Sequence, residues 1–121
     1  MVKRYTKNPV GAHYGLSEWL LQRLTAVVMA GYTLFLPFYL FVRPARGYAE
    51  WNLLFSQTWF QVGTMLFITS LLYHAWVGMR DILMDYLRAT GLRLFGQCVV
   101  GFVLFFYLIW SASILWGRVS P

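Results

Sequence analysis

The stretch from Leu94 to Trp116 carries no charged residue at all. An uncharged apolar run of that length is what a bilayer-spanning helix needs, since about 20 residues cover a hydrocarbon core of about 30 Å. Lipid offers no water to the backbone, so such a segment must close its own hydrogen bonds as a helix. Two earlier stretches meet the same test, from about Leu24 to Val42 and from about Trp59 to Met79. Composition agrees: 60% of the 121 residues are hydrophobic and only 12% charged, where soluble domains run nearer half and a quarter. The expected fold is an all-α membrane protein of three transmembrane helices, at about residues 18–42, 58–86 and 92–117. They form one anchor domain over residues 17–117, preceded by a polar arm at residues 1–16.

The arm carries Lys3, Arg4, Lys7 and Pro9. The apolar segment after it is too long for a signal-peptide core, and no small-residue cleavage site follows. Ser17 is placed to cap the first helix, with Glu18 at the positive end of its dipole. Pro37 is expected to kink that helix near its exit, which membrane helices tolerate. Arg43, Pro44, Arg46, Gly47 and Glu50 read as a loop, with Trp51 and Trp59 as interfacial anchors beside it. Gly96 and Gly101 can admit a close neighbour, but their spacing of five is not the small-xxx-small pattern.

The formal net charge of +6 does not point to nucleic acid. The basic residues stand singly between apolar runs, with no basic stripe interleaved with aromatics. They read instead as topology. Lys3, Arg4, Lys7, Arg88 and Arg93 flank one side, while Arg43, Arg46 and Arg118 flank the other. The positive-inside rule then puts the amino terminus in the cytoplasm and the carboxyl terminus outside. Cys98 is the sole cysteine, which excludes an internal disulfide and any multi-cysteine metal site.

One segment departs from this apolar pattern. Residues Tyr73 to Tyr86 read YHAWVGMRDILMDY. On a helix, His74, Gly78, Asp81 and Asp85 fall nearly on one line, with Tyr86 roughly 18 Å beyond His74. An intramembrane histidine is costly and faces a bundle interior or a ligand. Two readings of His74 stay open: a hydrogen bond to a serine or carbonyl on a neighbouring helix, or ligation of haem iron. His13 precedes the first helix on the water side, so a second imidazole would have to come from another chain. Arg23, near one boundary, either clamps a carboxylate such as a haem propionate or snorkels to lipid phosphate. Tyr86 either belongs to the aromatic belt or donates to a carbonyl arriving from the membrane, for which a quinone is suited. Asp81 can pair with Arg80 or Arg88. No nucleophile–base pair, nucleotide loop or redox cluster is present, so the chain holds no complete active site.

The motif His74-Ala75-Trp76-x-Gly78-Met79 followed by Leu83-x-Asp85-Tyr86 resembles the second helix of the hydrophobic membrane anchor of bacterial succinate dehydrogenase, respiratory complex II. Arg23-x-Thr25-Ala26 and Leu92-Arg93-Leu94 match in the first and third helices, so the resemblance runs in order from about Arg23 to Trp116. It implies a three-helix anchor that pairs with a second three-helix anchor chain, the two sharing one haem b in the inner membrane. His74 matches the axial histidine, Arg23 the arginine near the propionates, Tyr86 the tyrosine that bonds ubiquinone, and Asp85 its acidic neighbour. FAD and the iron–sulfur clusters would lie in partner flavoprotein and iron–sulfur subunits docked on the cytoplasmic side. The family's histidine just before the first helix stands here as Ser17, and Arg80 and Asp81 replace bulkier or neutral residues. Two alternatives remain: the anchor of a fumarate reductase or other haem-b quinone oxidoreductase, and a purely structural membrane protein. Two-haem cytochromes need several intramembrane histidines, and this chain has one.

Overall fold

The computed structural model describes residues 12–117, with side chains from residue 15 onward. Four helices follow in order: α1 (Ala12–Val42), α2 (Tyr48–Ser56), α3 (Thr58–Tyr86) and α4 (Thr90–Gly117). Three of them, α1, α3 and α4, are long and apolar enough to cross a membrane. Among the described residues there is no strand. The all-helical, three-span architecture expected from the apolar runs is what the chain adopts.

Two local expectations need correction. α1 begins at Ala12, so Ser17 lies within the helix instead of capping it, and His13 sits in the first turn. His13 is still twelve residues from Thr25, roughly 18 Å along the axis. The segment after Pro44 is also not all loop, because Tyr48–Ser56 forms α2. Pro44 and Gly47 mark the break, but Glu50 falls in the first turn of a new helix. Its carboxylate accepts a hydrogen bond from the Arg46 N–H just before that helix. An acid reaching back from the first turn stabilises a helix start, and that favours helix over loop here.

α3 is the shared element: α1 packs on one side of it, α4 on the other, and α2 lies against its start. The turn between α3 and α4 is short, which makes the two helices antiparallel neighbours. Leu87, extended at φ −96° and ψ 111°, ends α3 with its N–H bonded to Leu83 O. Both Gly96 and Gly101 on α4 serve the contact with α3. A Cβ on Gly96 would stand 3.3 Å from a Leu83 methyl, and one on Gly101 would stand 3.2 Å from the Trp76 ring. Their spacing of five, uninformative as a motif, puts each against a different large side chain of α3. At the far end of α4, Gln61 Nε2 donates to Leu115 O at 2.9 Å. That carbonyl belongs to the last turn, where helices leave their C=O groups unpaired.

Among the described residues the buried apolar core is small: Leu54, Phe60, Val77 and Leu115. Phe60 is 2% exposed, sealed by Phe55 at 5.0 Å between ring centroids and by Trp59 at 5.7 Å. Large apolar side chains such as Leu34, Phe41 and Phe102 are instead exposed along the helices. A soluble protein would not leave that much apolar surface to water. Lipid and other membrane helices solvate such faces at no hydrophobic cost, and this is a multi-pass membrane protein.

Candidate functional site

The interface between α1 and α3 is organised by residues seven apart on α1: Glu18, Thr25, Tyr32 and Tyr39. Each meets α3 at a level that steps back along the antiparallel helix. Arg80 donates to both Glu18 carboxylate oxygens, at 2.7 and 2.8 Å. His74 Nδ1 lies 3.4 Å from Thr25 Oγ1. Tyr32 stacks on Phe67 at 4.7 Å, and its hydroxyl is 2.7 Å from Thr64 Oγ1. Tyr39 meets Trp59 edge-on at 5.7 Å. A seven-residue repeat keeps one stripe of a helix against its partner. Here the stripe is polar at one end and aromatic at the other.

His74 is half-buried in this stripe. The Thr25 hydroxyl donates to Gln22 O at 2.9 Å, one turn back on its own helix. His74 Nε2 has no hydrogen-bond partner among the described residues. One turn further along α3, a Cβ on Gly78 would find nothing within 4 Å. The space directly beside Gly78 is thus left open by this chain. Among the described residues no three His, Cys, Asp or Glu side chains cluster as a metal site.

The Glu18–Arg80 ion pair is a feature that sequence reasoning misses. Sequence alone puts Glu18 at the helix dipole and sets Asp81 beside Arg80 or Arg88. The structure gives Arg80 a bidentate partner across the helix pair, and Asp81 only a secondary contact at 3.4 Å. A signal is present in the sequence: in an otherwise apolar span, Glu18, Thr25 and Tyr32 recur every seven positions. Planar two-point pairing is the strong geometry for a guanidinium. Charge removal on either side leaves the other charge near lipid without its partner. Glu18→Gln and Arg80→Gln are each expected to lower the thermal stability of the purified protein and its yield in membranes. The swap Glu18→Arg with Arg80→Glu is expected to recover part of both, whereas additive losses in the double variant would mean that the pair contributes nothing.

The remaining candidate residues are not brought to His74 within this chain. Arg23 is exposed, its guanidinium 5.3 Å over the Trp19 ring. It lies two residues from Thr25, about 200° around α1, and has no ion-pair partner among the described residues. Asp85 and Tyr86 end α3. Tyr86 is 81% exposed, and its hydroxyl has no partner among the described residues. Arg80 and Glu18 therefore stand between the His74 level and the Tyr86 end of the bundle.

Residues 5–114 match the family described as the succinate dehydrogenase/fumarate reductase transmembrane subunit. The chain is 34% identical to the succinate dehydrogenase hydrophobic membrane anchor subunit of Coxiella burnetii, over 84% of this chain and 89% of that one. It is 30% identical to the proteins of the same name from Rickettsia typhi and Rickettsia prowazekii. Those matches cover 73% and 72% of this chain, and 70% of each relative. Three spanning helices, the His74 to Tyr86 motif on the central one, and a match over nearly the whole length converge: the chain belongs to the succinate dehydrogenase/fumarate reductase transmembrane subunit family, among its hydrophobic membrane anchors.

Proposed function

We propose that this chain is the membrane anchor of a succinate:quinone oxidoreductase, in which His74 is one axial ligand of a haem b and Tyr86 binds the quinone head group. The observation that carries the reading is the state of His74. Its Nδ1 lies 3.4 Å from Thr25 Oγ1 on α1, and its Nε2 has no hydrogen-bond partner among the described residues. A free imidazole nitrogen at membrane depth suits iron and little else that lipid contains. Bound there, the haem supplies a one-electron redox centre within the membrane. A second three-helix anchor chain supplies the other ligand and covers the exposed faces of α1 and α4. The iron–sulfur subunit and the FAD-bearing flavoprotein dock at the Tyr86 end. By the charge asymmetry of the loops that end is cytoplasmic, with the amino terminus inside and the carboxyl terminus outside the inner membrane.

Tyr86 and Asp85 serve the quinone. The exposed phenol donates a hydrogen bond to one carbonyl and stabilises negative charge as it develops on that oxygen. Asp85 tunes the same end of α3. A reduced-minus-oxidised spectrum of the membrane complex with succinate as reductant tests the reading. A low-spin haem b signal supports it, and absence of haem from an active complex overturns the assignment of His74. A complex that reduces fumarate with quinol but does not oxidise succinate would make it the fumarate reductase anchor instead.

Arg23 is the proposed partner of a haem propionate. Among the described residues its guanidinium lies over the Trp19 ring and has no ion-pair partner, so its hydrogen-bond donors are available on a face that this chain leaves exposed. Arg23→Leu is expected to lower haem occupancy or shift the haem potential, since a nearby cation favours one charge state. Arg23→Lys is expected to recover only part, because an ammonium lacks the planar fork. Wild-type haem content and potential in both variants would mean that Arg23 serves lipid phosphate.

A further inference from the structure

We infer that Thr25 is a positioning residue for His74: it holds the imidazole in the Nδ1–H tautomer and fixes its plane, leaving the Nε2 lone pair for the ligand. This rests on the haem reading given above and goes beyond it in naming what sets the ligand's electronics. The assignment follows from counting protons. The Thr25 hydroxyl has one proton, and at 2.9 Å from Gln22 O it is committed to that carbonyl. The oxygen can then meet His74 Nδ1, 3.4 Å away, only as an acceptor. An acceptor at Nδ1 requires N–H there, which in a neutral imidazole leaves Nε2 unprotonated.

The position of Thr25 is itself held. One heptad before it, Glu18 is clamped by Arg80, and one heptad after it, Tyr32 is stacked on Phe67 and bonded to Thr64. α1 therefore cannot slide or roll along α3 without breaking both neighbours, and the Thr25 oxygen stays at the level of the His74 ring. An acceptor on the distal N–H makes an imidazole a stronger donor to a metal and fixes its orientation. A stronger donor favours the oxidised, more positive iron.

The test uses the whole complex and two readouts besides turnover: the haem midpoint potential and the low-spin electron paramagnetic resonance signal, which reports the angle between the two axial ring planes. Thr25→Val keeps the branched shape and removes the acceptor. It is expected to raise the midpoint potential and to shift or broaden the low-spin signal, with haem content retained. Thr25→Ser keeps the oxygen and is expected to hold both near wild type. If Thr25→Val does not assemble, Thr25→Ala gives the same readouts in a smaller side chain. Wild-type potential and spectrum in the acceptor-free variant, in a complex whose haem is lost on His74→Leu, would overturn the role of Thr25 alone. A haem indifferent to His74→Leu would overturn the underlying reading instead. An equal shift in Thr25→Ser and Thr25→Val would mean that the residue acts through packing, and would also overturn the inference.

Discussion

Tyr86→Phe is expected to lower succinate-to-quinone turnover by about two orders of magnitude. A preorganised donor on an oxygen that gains negative charge is worth on the order of 2.7–4 kcal/mol when removed, and about 1.36 kcal/mol corresponds to a factor of ten in rate. The substitution keeps the ring and its preference for the membrane boundary, and deletes only the hydroxyl. That hydroxyl has no partner among the described residues and projects from the last residue of α3, so its loss should leave packing within this chain unchanged. Haem content and assembly are expected to stay normal. Succinate oxidation by an artificial acceptor drawing electrons from the soluble subunits should be untouched. Asp85→Asn is expected to give a milder defect, because it changes the field at the site without removing the donor. If Tyr86→Phe reduces quinone at the wild-type rate, the tyrosine is an interfacial anchor and quinone binds elsewhere.

His74→Leu is expected to abolish the low-spin haem spectrum or convert it to high spin. Leucine fills much of the imidazole's volume but offers no lone pair, so a haem held from both sides would lose one axial ligand. The variant also leaves Thr25 without its cross-helix partner. The Glu18–Arg80 and Tyr32–Thr64 contacts on either side remain. Assembly is accordingly expected to weaken and not to fail. Quinone reduction is expected to survive in part, because the proposed arrangement puts the Tyr86 site and the electron-donating subunits at one end, and electrons would not need to cross the haem to reach it. An unchanged low-spin spectrum in the assembled His74→Leu complex would remove His74 from the ligand set.

The two variants separate the ends of α3. Loss of haem with retained quinone turnover, set against loss of turnover with retained haem, would assign independent tasks to His74 and Tyr86. A joint loss in either variant would mean that they are coupled through the helix or through assembly.

Much of the fold is set by the chain's own composition. The uncharged run from Leu94 to Trp116 and the two other apolar stretches determine three spans, because lipid forces each such segment to satisfy its backbone as a helix. That logic needs no partner and no tertiary contact. The residues worth testing are legible for a related reason. A histidine within an apolar run, and an acid and tyrosine where that run ends, are costly or conspicuous in lipid wherever the neighbouring helices lie. α2 is not legible in the same way, because Pro44 and Gly47 are local signals for a break. Whether the chain after a break re-forms a helix depends on weaker preferences, here the reach of Glu50 back to Arg46.

Only the tertiary structure decided which side chains meet. Arg80 has acids on its own helix and basic neighbours nearby, and nothing local tells that its partner is Glu18, 62 residues earlier. The choice is made by the register of α1 on α3, which depends on the summed fit of Tyr32 on Phe67, Tyr39 on Trp59, and both helices' faces at once. The same register sets the Thr25 oxygen at the level of the His74 ring, and it leaves Arg23 on the opposite side of α1. Sequence determines depth in the membrane through hydrophobicity, residue by residue. Rotation about a helix axis and sliding along it are settled by packing between helices, which is a property of the pair and of neither helix alone.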